Sequence, residues 1–412
     1  MIVSKAMEPQ ISVDTGLELQ TIDQLSLAQK RVLIRVDFNV PLTSRQQVSD
    51  DTRIREALPT IQHAIRQGAK VILASHLGRA KGHVKPELSL KPVAERLQEL
   101  LGSAVTLAPD CVGIGVQQHV RQLTAGAVLI LENLRFHAEE EANDPTFSQE
   151  LSALADVYIN DAFGSSHRSH ASMVGVVQHF EDKGVGFLMR KEIHALSSLL
   201  FSPEHPFVAI LGGAKVSDKI GLIRSLLSHA DHIIIGGAMA YTLLKAQGIH
   251  IGRSLVEQEK VEEAKAILSL AANQDVAIHL PRDHVIIAEL KTNVPSSVTS
   301  GVDVPSDCLG VDIGPRTADA FRTVVQSART VLWNGPMGIF EQPPFDQGTR
   351  SVAKAVAAVP ACYSVAGGGD TVAALTQANL ANQISHISTG GGATLEFLES
   401  GDLPGLAALR AT

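Results

Sequence analysis

The chain has 412 residues, 45% of them hydrophobic and 33 of them glycine, with a formal net charge of -8. That length exceeds one ordinary core, so two domains are expected. The acidic balance excludes a global basic field for nucleic acid, and no apolar run approaches the ~18 residues of a membrane span.

Three scattered cysteines (Cys111, Cys308, Cys362) lack metal or CxxC spacing, which suits free structural thiols in a reducing compartment. A cytoplasmic, soluble protein without membrane or nucleic-acid partners is expected. Residues 1–20 mix acids with polar groups and have no signal-peptide pattern. They read as an extension of unassigned role.

Strand-length apolar runs then alternate with helical patterns, the signature of parallel sheets with crossover helices. The first run, RVLIRVDFN, ends on Asp37 and Asn39. The segment DTRIREALPTIQHAIRQGA puts Ile54, Leu58, Ile61 and Ile65 on one helical face, and Gly68 stops it. KVILASHLGR is the next strand. LSLKPVAERLQELLG is a helix with Val93, Leu97, Leu100 and Leu101 inward and Gly102 at its end. VLILENLRF and VYINDAFGSSHRSH follow. Arg53, His76, Arg79, Arg135, His167, Arg168 and His170 thus fall at or just past strand ends, where open α/β sheets bind ligands.

Singly, each of these groups reads as a surface ion pair. As a set they favour a site for a small molecule bearing phosphate, carboxylate and hydroxyl groups, because arginine forks match such oxygens two at a time. Asp37 and Asn39 suit hydroxyls or the orientation of the arginines. His167 and His170 are equally compatible with a ligand role and with local backbone partners.

A long helical stretch spans about Gly186 to Leu200 and precedes the Pro-rich break SPEHPF. The domain boundary is placed in this helix, a plausible hinge element. Beyond it the strands end in glycine: FVAILGGAK, HIIIGGAMA, LWNGPMG, YSVAGGGDT and ISTGGGAT. Walker A and GxGxxG fingerprints are absent. GGGDTVAAL sets Asp370 and Thr371 at a helix start that favours phosphate, and the Gly390, Gly391, Gly392 turn is similar.

Lys215 and Lys219, spaced i,i+4 after a Gly pair, read as phosphate contacts on one face of a turn or as solvated lysines. Asp370 is the magnesium candidate or a helix cap. Asn334 and Glu341 suit a base or ribose, and Trp333 suits the core.

These segments, in this order, resemble phosphoglycerate kinase. RVDFNVPL, DTRIREALPTI, SHLGR, LENLRFHAEEE, NDAFGSSHRSHAS, LGGAKVSDKI, VDIGPRT, LWNGPMGIFE, GGGDT and STGGGA are similar to that family's motifs over nearly the whole chain after about residue 20. The resemblance implies two Rossmann-like α/β domains, each a parallel sheet flanked by helices, with a hinge helix and a central cleft. It implies a phosphoglycerate-binding domain over 21–185, an interdomain helix over 186–200 and a nucleotide-binding domain over 201–399. Residues 400–412 would pack back on the first domain.

It further implies a monomeric glycolytic enzyme that moves a phosphoryl group between 1,3-bisphosphoglycerate and ADP with Mg2+. Asp37, Asn39, Arg53, His76, Arg79, Arg135 and Arg168 would bind phosphoglycerate. Lys215, Lys219, Gly310, Asn334, Glu341 and Gly367, Gly368, Gly369, Asp370 and Thr371 would bind ATP or ADP, with Asp370 on the metal. Arg53, Lys215 and the Gly391 and Gly392 amides would act on the moving group. A non-catalytic binding protein on the same fold is the alternative. Cys308 stands where the family often has tryptophan, and Ala80 replaces a common proline.

Overall fold

The computed structural model describes residues 19–291 and 294–411, so the expected extension lies outside the described residues except for its last two positions. The first domain is a parallel six-stranded sheet. Its strands are β1 (Arg31–Val36), β2 (Lys70–Ala74), β3 (Val105–Leu107), β4 (Val128–Ile130), β5 (Val157–Asp161) and β6 (Lys183–Val185), in the order β3-β4-β2-β1-β5-β6. β1 is buried along its length except at Arg31. A strand covered by helices on both faces must be apolar on both, which is why RVLIRV shows no alternation.

The helix Thr52–Arg66 buries Ile54 and Ile61 as its periodicity predicts, with Ala57, Thr60 and Ala64 beside them; Leu58 and Ile65 are half-buried. Gly68, at φ +73°, lets the chain leave that helix and enter β2.

The second domain repeats the plan with β7 (Phe207–Leu211), β8 (His232–Ile235) and β9 (Ala277–His279), then β13 (Thr330–Asn334), β14 (Tyr363–Gly367) and β15 (His386–Ile387), all parallel in the order β15-β14-β13-β7-β8-β9. Between these runs the chain forms a small antiparallel sheet of β10 (His284–Ile287), β11 (Ser296–Val298) and β12 (Leu309–Ile313). The alternating pattern did not predict it, because its strands are short and β11 is exposed on both faces. In each six-stranded sheet the winding reverses beside the first strand. The loops after β1 and β5, and after β7 and β13, therefore diverge and leave a crevice.

The helix Phe187–Phe201 joins the domains. Its first turn hangs on the first domain: Phe187 N–H donates to Thr60 Oγ1 at 2.8 Å, and Met189 N–H donates to Asp161 Oδ1 at 3.1 Å. Met189, Leu196 and Leu199 are fully buried in a core that runs continuously from Leu33 in β1 to Leu211 in β7. At the C-terminus, the helix Pro404–Arg410 buries Leu406 in the same core and lies on the first domain, where Gly405 N–H donates to the Ser166 carbonyl at 2.9 Å.

Candidate functional site

The loops after β1, β2, β4 and β5 and the start of the helix Thr52–Arg66 line a cavity of about 620 Å³ that gathers Asp37, Asn39, Arg53, His76, Arg79, Arg135, His167, Arg168 and His170. Every phosphoglycerate residue expected from sequence is in it. Arg35 and Lys81 are there too, and the sequence reading missed both. Arg53 Nη1 pairs with Asp37 Oδ2 at 2.7 Å, and Asn39 Oδ1 accepts Gly78 N–H at 2.9 Å. Asp37 and Asn39 thus shape the site through an arginine and a backbone loop.

Burial acts to raise the Asp37 carboxyl, but the neighbouring Arg53 and Arg35 guanidiniums hold it below its usual range. Burial lowers His76 to about 3, helped by Arg35, Arg135 and Arg53 against the pull of Asp37, so the ring is neutral at pH 7. His170 falls to about 4 through burial and the surrounding arginines.

Two nitrogens of residues lining the cavity are incompletely satisfied. His167 Nδ1 and Arg135 Nε are buried and make no hydrogen bond among the described residues. Arg135 Nε is 3.5 Å from Glu141 Oε1, while its Nη1 donates to the Gly78 carbonyl at 2.7 Å. Arg135 Nε thus has only a long contact to Glu141, and a buried donor so weakly satisfied gains from a bound oxygen.

The far wall of this cavity comes from the other domain: Gly390, Gly391 and Gly392. Gly391 holds φ +56° as the cap of the helix Gly392–Ser400, so amides at a helix N-terminus face the basic pocket. Glu192 on the interdomain helix sets this turn by accepting Thr389 N–H at 2.8 Å.

On the second domain, a cavity of about 490 Å³ runs between the small antiparallel sheet and the loops after β7, β8 and β13. Its wall is mostly apolar and glycine-rich, and includes Gly213, Gly237, Leu255, Leu290, Gly310, Pro336, Gly338 and Ile339. Gly310, Glu341 and Asp370 line it as expected. The glycines have identifiable reasons. A Cβ on Gly310 would fall 1.6 Å from Tyr241 Oη, and one on Gly212 would fall 2.0 Å from the Pro336 carbonyl. The second contact lies where the crossing loops after β7 and β13 meet, and Gly213 N–H donates to Pro336 O there at 3.1 Å. Tyr241 and His284, joined at 3.2 Å, form the floor. They were missed because they come from a helix and from the unpredicted small sheet.

Two expectations change. Lys215 and Lys219 do not share a helical face. Helix Ile220–Leu226 starts only after Lys219; Lys215 is exposed on the preceding loop and Lys219 is buried, donating to Asn334 Oδ1. The loop is held off helical geometry because Ser217 N–H and Oγ both donate to Glu257, at 2.9 and 2.6 Å. Thr371, at the start of the helix Gly369–Gln377, points inward, and its Oγ1 accepts Gly335 N–H at 2.6 Å. Trp333 is fully buried and its indole N–H donates to the Gly335 carbonyl at 2.9 Å.

Asp370 is exposed at a helix N-terminus on the cavity wall and makes no ion pair among the described residues. One open carboxylate on the wall of this cavity fits a magnesium ion, which binds nucleotide through one or two carboxylates plus phosphate oxygens.

A basic pocket on one α/β domain, walled by the glycine turn of a second domain with its own nucleotide-sized cavity, defines a bilobal phosphotransferase. Residues 22–401 match the family model described as phosphoglycerate kinase. The chain is 56% identical over 396 residues to the phosphoglycerate kinase of Anaeromyxobacter dehalogenans, covering 95% of this chain and 99% of that one. It is 54% identical over 389 residues to that of Moorella thermoacetica, covering 94% and 98%.

Among solved structures, phosphoglycerate kinase from Coxiella burnetii is similar with a TM-score of 0.87 at 40% identity, covering 95% of this chain and 98% of that one. The Pyrococcus horikoshii enzyme gives 0.78 at 33%, with the same coverage. The chain belongs to the phosphoglycerate kinase family. Its reaction is the reversible transfer of a phosphoryl group between 1,3-bisphosphoglycerate and ADP, giving 3-phosphoglycerate and ATP.

Proposed function

We propose that the 620 Å³ cavity binds phosphoglycerate through Asn39, Arg53, His76, Arg79, Arg135 and Arg168, with Asp37 orienting Arg53. The 490 Å³ cavity takes the nucleotide, with Gly310 and Glu341 at the base and ribose and Asp370 at the metal. Lys215, Lys219, Asn334 and the Gly367 to Thr371 turn serve its phosphates, Thr371 indirectly by fixing Gly335. The division follows the sequence reading: a phosphoglycerate domain over 21–185 with 400–412 returning to it, an interdomain helix over 186–200 and a nucleotide domain over 201–399. The family resemblance is what supports a cytoplasmic, monomeric enzyme; no described helix is long and apolar enough to cross a membrane.

The observation that carries the reading is the presence of Gly390 to Gly392 in the wall of the arginine pocket. Phosphoryl transfer asks the protein for alignment and charge compensation rather than covalent chemistry. The acyl phosphate is a reactive donor and the ADP oxygen an anionic nucleophile, so no general base is assigned. Arg53 reaches the moving group from the first domain and Lys215 from the second. The Gly391 and Gly392 amides cover its remaining oxygens. A magnesium ion held by Asp370 would neutralise nucleotide phosphate charge. Closure about the Phe187–Phe201 helix brings the halves together and excludes water that would hydrolyse the acyl phosphate.

The test is a coupled assay with 3-phosphoglycerate, ATP and magnesium. Turnover is expected; nucleotide binding without turnover would instead favour a non-catalytic binding protein.

A further inference from the structure

Arg35 is 1% exposed, sits in β1 and borders the basic cavity. Among the described residues no carboxylate pairs with it directly. Its Nε donates to Ser172 Oγ at 2.9 Å, its Nη1 donates to the Val36 carbonyl, and its Nη2 lies 3.3 Å from His76 Nδ1. The balancing charge is one residue removed: Ser172 Oγ and N–H both donate to the buried Glu140, at 2.6 and 2.9 Å. The guanidinium is therefore held on two sides, and its third side meets the imidazole.

A guanidinium has five N–H donors, no acceptor, and keeps its charge in proteins. Its contact with His76 Nδ1 has only one possible polarity, with Nδ1 accepting. A neutral ring with a bare Nδ1 carries its proton on Nε2. We propose that Arg35 is a positioning residue for the phosphoglycerate site, locking His76 as the neutral Nε2–H tautomer so that the ring gives an anionic oxygen a hydrogen bond rather than a charge. The proposal rests on the assignment of this cavity to phosphoglycerate.

The groups facing His76 fit. Asp37 alone favours a second proton on the ring, while Arg35, Arg53 and Arg135, together with burial, oppose it. Arginines already supply the cavity's positive charge. The imidazole adds a donor whose state does not change through the physiological range.

The test is a long-range 1H–15N correlation spectrum of histidine-labelled protein over about pH 5.5–8, with and without 3-phosphoglycerate. His76 is identified by the signal lost in His76→Gln. A bare Nδ1 and protonated Nε2 throughout are expected; a protonated Nδ1, or an imidazolium titrating in that window, overturns the proposal. Signals of His76, His167 and His170 that ignore 3-phosphoglycerate would instead overturn the assignment of the cavity, whatever the tautomer.

Two pairs of variants add a kinetic readout. The Gln amide nitrogen reproduces Nε2–H and the Asn amide reproduces Nδ1. His76→Gln should therefore keep KM for 3-phosphoglycerate roughly tenfold lower than His76→Asn, as one hydrogen bond to a charged oxygen is worth. Equal values count against the proposal. Arg35→Met should raise that KM and mix the tautomers, leaving KM for ATP unchanged, with Arg35→Lys restoring part of both. If Arg35→Met fails to fold, the wild-type spectrum and the His76 pair still decide.

Discussion

Glu192 and His386, both buried, meet across the domain boundary, with His386 Nε2 2.9 Å from Glu192 Oε2. The other Glu192 oxygen accepts Thr389 N–H at 2.8 Å, just before the Gly390 turn. One carboxylate on the interdomain helix thus fixes the end of β15 and the turn that faces the arginine pocket.

Removing it leaves buried donors without a partner, so Glu192→Ala should cost about 1–3 kcal/mol in urea unfolding. Because the turn is assigned to the transition state rather than to ground-state binding, kcat should fall more than either KM. A variant with wild-type stability and turnover would show that this contact does neither job.

Lys219 gives a pH signature. Burial, against the pull of Asp218 and Asp370, lowers its ammonium from 10.5 to about 8. The unfolded chain therefore holds a proton that the folded chain lacks between about pH 8 and 10.5, and Lys219 makes stability rise with pH across that window. Below it both states are charged and the burial penalty is fully present. Nucleotide phosphates should restore the proton, so ADP binding near pH ~8.5 should take up protons, as read by calorimetry in buffers of different ionisation enthalpy. Lys219→Met should abolish both the stability slope and the proton uptake.

Arg53 and Lys215 are assigned to the moving phosphoryl group from opposite domains. Lys215 is exposed, so Lys215→Ala should change stability by less than about 1 kcal/mol, while Arg53→Ala also takes an ion-pair partner from the Asp37 carboxylate and should cost about 1–3 kcal/mol. Turnover should drop by orders of magnitude in each. Near-normal coupled-assay rates in both variants would sink the assignment.

Gly310→Ala separates the two substrates. Its Cβ would fall 1.6 Å from Tyr241 Oη, forcing the floor of the nucleotide cavity to move. KM for ATP should rise at least about tenfold while KM for 3-phosphoglycerate stays as in the wild type.

Chelation of magnesium should stop turnover reversibly. In Asp370→Asn the magnesium concentration for half-maximal rate should rise, with 3-phosphoglycerate affinity unchanged, since the arginine cavity does not include Asp370.

Local rules made much of this protein legible. Apolar strands with chemistry at their carboxyl ends point to two parallel sheets, and the motif order points to the family. Asp37, Arg53, His76, Arg135 and Arg168 are all recoverable because a parallel strand delivers whatever follows it to one edge. Only the tertiary structure shows that Lys215 and Lys219 part company, because a distant acid, Glu257, holds the loop between them. Only it shows Thr371 turned inward, Tyr241 and His284 under the nucleotide cavity, and Arg35 behind His76. Each depends on contacts between segments far apart in the chain, and spacing along a sequence carries no information about which distant partner a side chain will meet.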